Sequence, residues 1–212
     1  AVALFRMPFG KPPHREHSGD LSAPAKPAGL LLAVALGVLF YVYVGTENSV
    51  SFWAPTHAQR AAAWASNTWT LAPMFFFGGL LGGRGVAAAL LLHLNEAGVA
   101  VGGIVLAAAG QLLFITGHSP LALFAGAFFA GLGLASLYPI YIAWLSKWFG
   151  QRARKVGGVM FALAAGGAST MPPLVGVVSR LTDSLRAGLL VPLAGCAVML
   201  AVVALVRPNT RG

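Results

Sequence analysis

Long runs of apolar residues, separated by short polar segments, dominate the pattern of this chain. Six such runs cover approximately residues 28–53, 63–83, 97–115, 120–146, 156–179 and 185–206. Each is close to the ~20 residues that an α-helix needs to cross the core of a bilayer. None alternates apolar and polar residues as barrel strands do, so we predict six transmembrane α-helices. The predicted fold class is an all-α integral membrane protein.

The composition supports contact with lipid. Hydrophobic residues make up 58% of the chain and charged residues 9%, whereas soluble domains carry about 25% charged residues. The net charge of +9 would suggest a nucleic-acid partner in a soluble protein. Here the basic residues lie mostly between apolar runs, where they orient helices. We therefore predict a lipid bilayer as partner and no nucleic acid.

The two ends of the chain are polar. Residues 1–27 mix prolines with charges, which is incompatible with a buried helix. We interpret them as the end of a preceding helix and a cytoplasmic loop, residues 28–206 as the transmembrane bundle, and residues 207–212 as a cytoplasmic tail. The chain starts without methionine, so we expect a fragment or a shortened form of a longer protein. His14 and His17 lack a cysteine partner, and we predict neither a metal site nor a cofactor.

Basic residues are distributed unequally between the predicted loops. With the N-terminus in the cytoplasm, 11 of the 14 Lys and Arg residues fall on the inner side and 3 on the outer side. This bias predicts a multi-pass protein of the cell membrane with both termini cytoplasmic. The inner residues include Arg84, in a predicted loop, and a group that we name the basic cluster. The basic cluster consists of Lys147, Arg152, Arg154 and Lys155, and its members are candidates for a cytoplasmic gate or a topological anchor.

Polar side chains are concentrated in the first, second, fourth and fifth runs. Because polar groups are costly in hydrocarbon, these helices are predicted to line a cavity while the third and sixth face lipid. Glu47 is the ionisable residue well inside a run, about 9 Å from a helix end at Trp53. It is predicted to bind a polyol, carry a coupling proton or bond to a neighbouring helix. The other candidates for substrate binding or proton coupling are Tyr43 and Ser51, which share its helix face, with Asn48, Asn67, Tyr138 and Tyr141.

Four stretches resemble the major facilitator superfamily of transporters, particularly its fucose permease-like branch. Residues 41–53 resemble the seventh helix of that superfamily, 131–139 the tenth, 171–176 the eleventh and 184–192 the entry to the twelfth. The resemblance covers about residues 29–206. It implies the C-terminal half of a twelve-helix transporter, built as two inverted three-helix repeats. It also implies a missing N-terminal six-helix half and a small-molecule substrate, with a proton as candidate coupling ion.

Arg84 departs from the pattern of this superfamily. The loop after the eighth helix often carries a glycine-rich motif with an acidic residue and further basic residues. Residues 78–85 keep the glycines and Arg84 but lack the acidic residue and the trailing basic pair. The role of Arg84 therefore stays open between a gate residue and a positive-inside anchor.

Two other classes of function are the alternatives. A membrane enzyme is disfavoured because residues 167–171 lack the second glycine of a nucleophile elbow, and because His57, His93 and His118 fall in or near predicted loops. A six-helix channel is disfavoured because the chain has neither paired Asn-Pro-Ala loops nor an arginine ladder within a run. We therefore predict secondary active transport of a small solute by alternating access.

Overall fold

Helices account for nearly all of the chain that the computed structural model describes, which is residues 27–64 and 66–206. Within those ranges there is no β-strand, so the predicted all-α class is confirmed. The predicted terminal segments 1–26 and 207–212 lie outside the described residues. Short 3-10 helices at Asn67–Leu71 and Gly150–Arg152 precede α2 and α6. The α-helices are α1 (Pro27–Ala61), α2 (Ala72–Leu90), α3 (Glu96–Thr116), α4 (Pro120–Leu134), α5 (Leu137–Phe149), α6 (Ala153–Leu181), α7 (Leu185–Gly188) and α8 (Leu190–Val206).

Five helical stretches are long and apolar enough to cross a membrane. They are Gly29–Ala61, Asn67–Leu90, Glu96–Thr116, Pro120–Leu181 and Leu185–Val206. The fourth has 62 residues and would be about 90 Å long as one straight helix, roughly three times the bilayer core. It joins the predicted fourth and fifth runs and consists of α4, α5 and α6.

Large apolar side chains are exposed on the outside of the bundle. Leu30, Leu121 and Leu205, for example, are 62%, 79% and 86% exposed. A contiguous apolar exterior of this kind is suited to lipid tails and not to water. The chain is therefore a multi-pass membrane protein.

The fourth predicted run is interrupted in its middle, near Pro139. α4 ends at Leu134, and α5 begins at Leu137 after a turn. Pro139 lacks the N–H that would bond the Ala135 carbonyl, and its ring crowds that carbonyl. The interruption is local, because Ala135 N still donates to Gly131 O at 3.1 Å.

Two helices extend further than the sequence predicts. α1 continues past Trp53 to Ala61 and includes Pro55 and His57. The His57 ring is buried, and its Nε2 lies 2.9 Å from the Phe114 carbonyl oxygen, so the prediction that His57 lies in or near a loop is wrong. α2 likewise continues to Leu90, and Arg84 lies inside this helix and not in a loop.

Close crossings between helices hold the bundle together. α1 packs mainly on α6, α2 and α3 pack on α4, and α8 packs on α1 and α3. At the α2–α4 crossing a Cβ on Gly79 would clash with the Phe128 carbonyl oxygen. At the α1–α6 crossing a Cβ on Gly167 would clash with the Tyr41 carbonyl oxygen. Glycine is needed at both crossings because backbone meets backbone, as at other small-residue interfaces between membrane helices.

Glu96 connects α3 to α5 at one end of the bundle. It lies in the first turn of α3, where a negative charge complements the helix dipole. Its Oε2 accepts a hydrogen bond from Nε1 of the buried Trp144 at 2.9 Å. Its Oε1 accepts from Nζ of the exposed Lys147 at 2.6 Å. One carboxylate therefore bonds both a buried indole and a surface ammonium group.

Candidate functional site

An open cavity of about 460 Å³ lies between α1, α2, α5 and α6. These helices belong to the four polar-rich runs of the sequence, and α3 and α8 contribute no lining residue. The lining residues are Tyr43, Val44 and Glu47 from α1, Arg84 from α2, Tyr138 from α5, and Phe161, Ala164 and Ala165 from α6.

Glu47 lies near the middle of the longest helix. In the apolar stretch Gly29–Ala61, it is about 27 Å along the axis from Gly29 and about 21 Å from Ala61. This position is deeper than the ~9 Å predicted from the sequence, because α1 does not end at Trp53. The side chain is half-buried and borders the cavity. A carboxylate at this depth needs polar surroundings, and the cavity provides them.

Arg84 brings a permanent positive charge to the same cavity. It lies in the helical stretch Asn67–Leu90, which is long and apolar enough to cross a membrane, about 9 Å before the end of the helix. Arg84 and Glu47 border one space but form no salt bridge with each other. The ion pair among the described residues joins Lys147 and Glu96. Two opposite charges therefore face a common space without direct contact.

Tyrosine rings form the wall beside these charges. Tyr43 is almost fully buried, and its ring centroid lies 6.0 Å from that of Tyr138. Tyr141 lies behind this wall, with its ring centroid 6.0 Å from that of Tyr43 and 6.0 Å from that of Phe40. It is fully buried and does not border the cavity. Of the three tyrosines predicted as site residues, two line the cavity and one packs behind it.

The remaining candidates lie outside the cavity lining. Asn48 Nδ2 donates to the Val44 carbonyl at 2.8 Å, and Ser51 Oγ donates to the Glu47 carbonyl at 3.0 Å. Both side chains are thus bonded to their own helix. Asn67 is exposed at the start of the first 3-10 helix, roughly 25 Å along the helix axis from Arg84. The sequence predicts that Tyr43, Glu47 and Ser51 share one helix face. Of these three residues, only Tyr43 and Glu47 line the cavity.

The basic cluster lies at the junction of α5 and α6, away from the cavity lining. Arg152 ends the second 3-10 helix, and Arg154 and Lys155 stand in the first turn of α6. All three are exposed, and Lys147 bonds Glu96. The structure therefore separates Arg84 from the residues with which the sequence grouped it.

Sequence reasoning missed two polar contacts between α1 and α6. Tyr41 Oη and Thr170 Oγ1 are 2.5 Å apart, and Trp53 Nε1 donates to the Pro172 carbonyl at 3.0 Å. Tyr41 belongs to the polar stretch of the first run and Thr170 precedes a proline pair. The sequence gives no sign that these distant positions meet, because their contact depends on how α1 crosses α6.

The cavity groups bind by charge and by hydrogen bonding. A carboxylate accepts hydrogen bonds, a guanidinium donates up to five, and tyrosine hydroxyls do both. Glu47, Arg84, Tyr43 and Tyr138 therefore suit a small polar solute. Within residues 27–64 and 66–206, no group of three or more His, Cys, Asp or Glu side chains could hold a metal ion.

Two solved structures share this arrangement of helices. Both are crystal structures of FucP, one of a variant of the E. coli fucose:proton symporter and one of the major facilitator superfamily (MFS) transporter in its outward conformation. Each match has a TM-score of 0.73 at 15% sequence identity and covers 82% of this chain. The chain has the major facilitator fold.

The major facilitator fold confirms the resemblance noted in the sequence. At 15% identity the likeness concerns the fold alone. The match covers 42% of the FucP chain, so this chain spans less than half of the length of that transporter. No protein-family model matches the sequence, and no curated protein matches it.

Proposed function

We propose that this chain is the C-terminal half of a major facilitator transporter and moves a small solute by alternating access. The supporting observation is the cavity that carries Glu47, Arg84, Tyr43 and Tyr138 in a chain of this fold, with Glu47 near the middle of α1. In such transporters the solute binds near the midplane between two halves that rock against each other. The partner would be an N-terminal six-helix half, and the location the cell membrane.

We further propose six spans arranged as two inverted three-helix repeats. The first repeat would be α1, α2 and α3. The second would be α4 with α5, then α6, then α7 with α8. In this arrangement α4 corresponds to α1, α6 to α2 and α8 to α3. The α1–α6 crossing then corresponds to the α4–α2 crossing, and the α1–α8 contact corresponds to the α4–α3 contact. All four contacts are among the larger ones in the bundle, which supports the proposal. The 3-10 helix Gly150–Arg152 would separate the fourth span from the fifth.

We propose that both termini are cytoplasmic. Because Arg84 lies inside α2, the predicted inner loops hold one basic residue fewer. Lys and Arg residues are still more numerous on the inner side than on the outer side. The test is labelling of Arg60→Cys and Arg152→Cys in a Cys196→Ala background, since both arginines are exposed. An impermeant maleimide added outside intact cells should label position 60 and not position 152. The reverse pattern would overturn the orientation.

The transport proposal is tested by uptake into proteoliposomes that contain the intact transporter. Saturable uptake is expected, whereas flow that does not saturate would indicate a pore. Glu47→Gln keeps the shape of the side chain and removes its charge. We expect this variant to lower the uptake rate and to flatten its dependence on pH. The matched control is Glu96→Gln, the same exchange outside the cavity.

Unchanged uptake rate and pH dependence in Glu47→Gln would exclude both a proton-carrying role and a charge-dependent binding role for this residue. Loss of uptake in Glu96→Gln to the same extent would mean that the effect comes from general destabilisation. The folded fraction of each variant, measured by size-exclusion chromatography after heating, distinguishes these cases.

A further inference from the structure

We infer that the solute of this cavity is a small organic anion, bound through an oxyanion group at Arg84 and through hydroxyl or amino donors at Glu47. This inference rests on the proposed transport function of the same cavity. It goes further because it names the chemical class of the solute. The oxyanion group is a carboxylate or a phosphate, which present the same chemistry to a guanidinium.

Arg84 is the group that would bind the oxyanion. A guanidinium within an apolar helical stretch is costly, so such residues face water-filled cavities and pair with an opposite charge. Arg84 borders the cavity and is exposed. Glu47, the carboxylate of the lining, forms no salt bridge with it, and the ion pair among residues 27–64 and 66–206 is Lys147–Glu96. Within the described part of the chain the planar fork of Arg84 is therefore available to an oxyanion, which it fits with two parallel hydrogen bonds.

Glu47 adds a second requirement. An ionised carboxylate only accepts hydrogen bonds, so it selects a solute that carries donors. A cationic solute would be repelled by Arg84, and a neutral polyol would bond Glu47 while leaving the guanidinium without a counter-charge. An anion that also carries hydroxyl or amino groups satisfies both Arg84 and Glu47.

The aromatic rings of the lining suit the carbon skeleton of such a solute. Tyr43, Tyr138 and Phe161 present aromatic surface to the cavity, and Tyr138 packs edge-to-face against Phe40, with ring centroids 5.7 Å apart. This packing holds the Tyr138 ring against α1. A mostly apolar lining with a small number of polar groups is a common design of small-molecule sites.

The first experiment uses the intact transporter, purified in lipid nanodiscs. Phenylglyoxal modifies arginines, and peptide mass spectrometry gives the rate at Arg84 and, as an exposed control, at Arg180. Four probes with one carbon skeleton compete at matched ionic strength: gluconate, glucose 6-phosphate, glucose and glucosamine. We expect gluconate, glucose 6-phosphate or both to slow modification at Arg84 several-fold with no change at Arg180. Which of the two protects identifies the oxyanion.

Two results of this experiment would overturn the inference. One is equal protection of Arg84 by neutral glucose and by its anionic relatives. The other is protection by neither anion, since Arg84 would then have no affinity for an oxyanion in this cavity.

The second experiment separates this inference from the proposed function. It measures uptake of the same four probes by the intact transporter, with Arg84→Gln, Arg84→Lys and the control Arg180→Gln. We expect uptake of the anionic probes. Arg84→Gln should abolish this uptake, Arg84→Lys should retain it with a higher KM, and Arg180→Gln should leave it unchanged. Saturable glucose uptake that is insensitive to Arg84→Gln would overturn the anion class and leave transport standing. Absence of saturable uptake for every probe would count against the transport proposal itself.

Discussion

The contact between Glu96 and Trp144 is expected to stabilise the bundle more than the shorter contact between Glu96 and Lys147. Trp144 is 0% exposed, so removing the carboxylate leaves its indole N–H without a partner. Hydrogen bonds to charged groups contribute about 1.5–3 kcal/mol, and those between membrane helices average about 0.6 kcal/mol with a maximum of about 1.7. We therefore expect Glu96→Ala to lower the free energy of unfolding by about 2 kcal/mol.

The ion pair with Lys147 should contribute less despite its 2.6 Å distance. The side chain of Lys147 is 63% exposed and that of Glu96 27% exposed, and solvent screens such pairs to about 0.2–1 kcal/mol. Lys147→Met should therefore cost at most about 1 kcal/mol. Glu96→Gln keeps an oxygen that accepts from Trp144 and loses the charge, so its effect should fall between those of the other two variants.

The assay is reversible unfolding in mixed micelles, in which a denaturing detergent is titrated and far-UV circular dichroism reports helix content. Lys155→Met, which removes an exposed lysine that has no ion-pair partner within residues 27–64 and 66–206, is the control for loss of a surface charge. If Lys147→Met destabilises as much as Glu96→Ala, the ion pair and not the indole bond carries the contact. If Glu96→Ala has no effect, the indole N–H finds another partner and the reasoning fails.

Three further predictions concern packing, activity and topology. Gly167→Ala places a Cβ against the Tyr41 carbonyl and should cost about 1–3 kcal/mol in the same micelle assay, whereas Gly158→Ala, in open space, should be nearly neutral. This chain reconstituted alone should show no saturable uptake, because it supplies one wall of the cavity; saturable uptake would contradict the half-transporter proposal. Neutralising the basic cluster should scramble insertion, as measured by cysteine labelling; normal insertion with lost uptake would favour a gate.

The lengths of the apolar runs predict membrane helices well, because helices are the simplest structures that satisfy every backbone group in lipid. The ends of those helices are harder to predict. Residues 78–85 combine glycines with a charge, which is typical of a loop. In the structure Gly79 and Gly83 let α2 approach the backbone of α4, and Arg84 is exposed and borders the cavity. Tertiary packing thus overrides the low helix propensity of glycine.

The end of α1 shows the same limit. Residues 55–60 combine a proline with polar side chains, which also favours a loop. The helix continues because His57 is buried and bonded to the Phe114 carbonyl. Beyond the helix, Trp64 Nε1 donates to the Ala58 carbonyl at 2.8 Å, which satisfies one of the free carbonyls at the helix end.

Helical spacing predicted part of the candidate site. It grouped Tyr43 with Glu47, which are four residues apart and line one cavity. It failed for Ser51, whose hydroxyl bonds its own helix. It could not predict that Arg84 and Tyr138 line the same cavity as Glu47, because that depends on how α2 and α5 pack beside α1. Contacts within a helix follow from sequence, whereas contacts between helices require the fold.

α1 is longer than a bilayer core is thick. Its 33-residue apolar stretch measures about 50 Å, against about 30 Å of hydrocarbon. A second cavity of about 240 Å³ lies at its far end, bordered by His57 and Arg60 of α1 and by Asp183 and Arg186. If α1 tilts as a rigid rod about Glu47, each degree moves Ala61 by about 0.4 Å. Such a tilt would change the width of the second cavity whenever the part of α1 that carries Glu47 rotates.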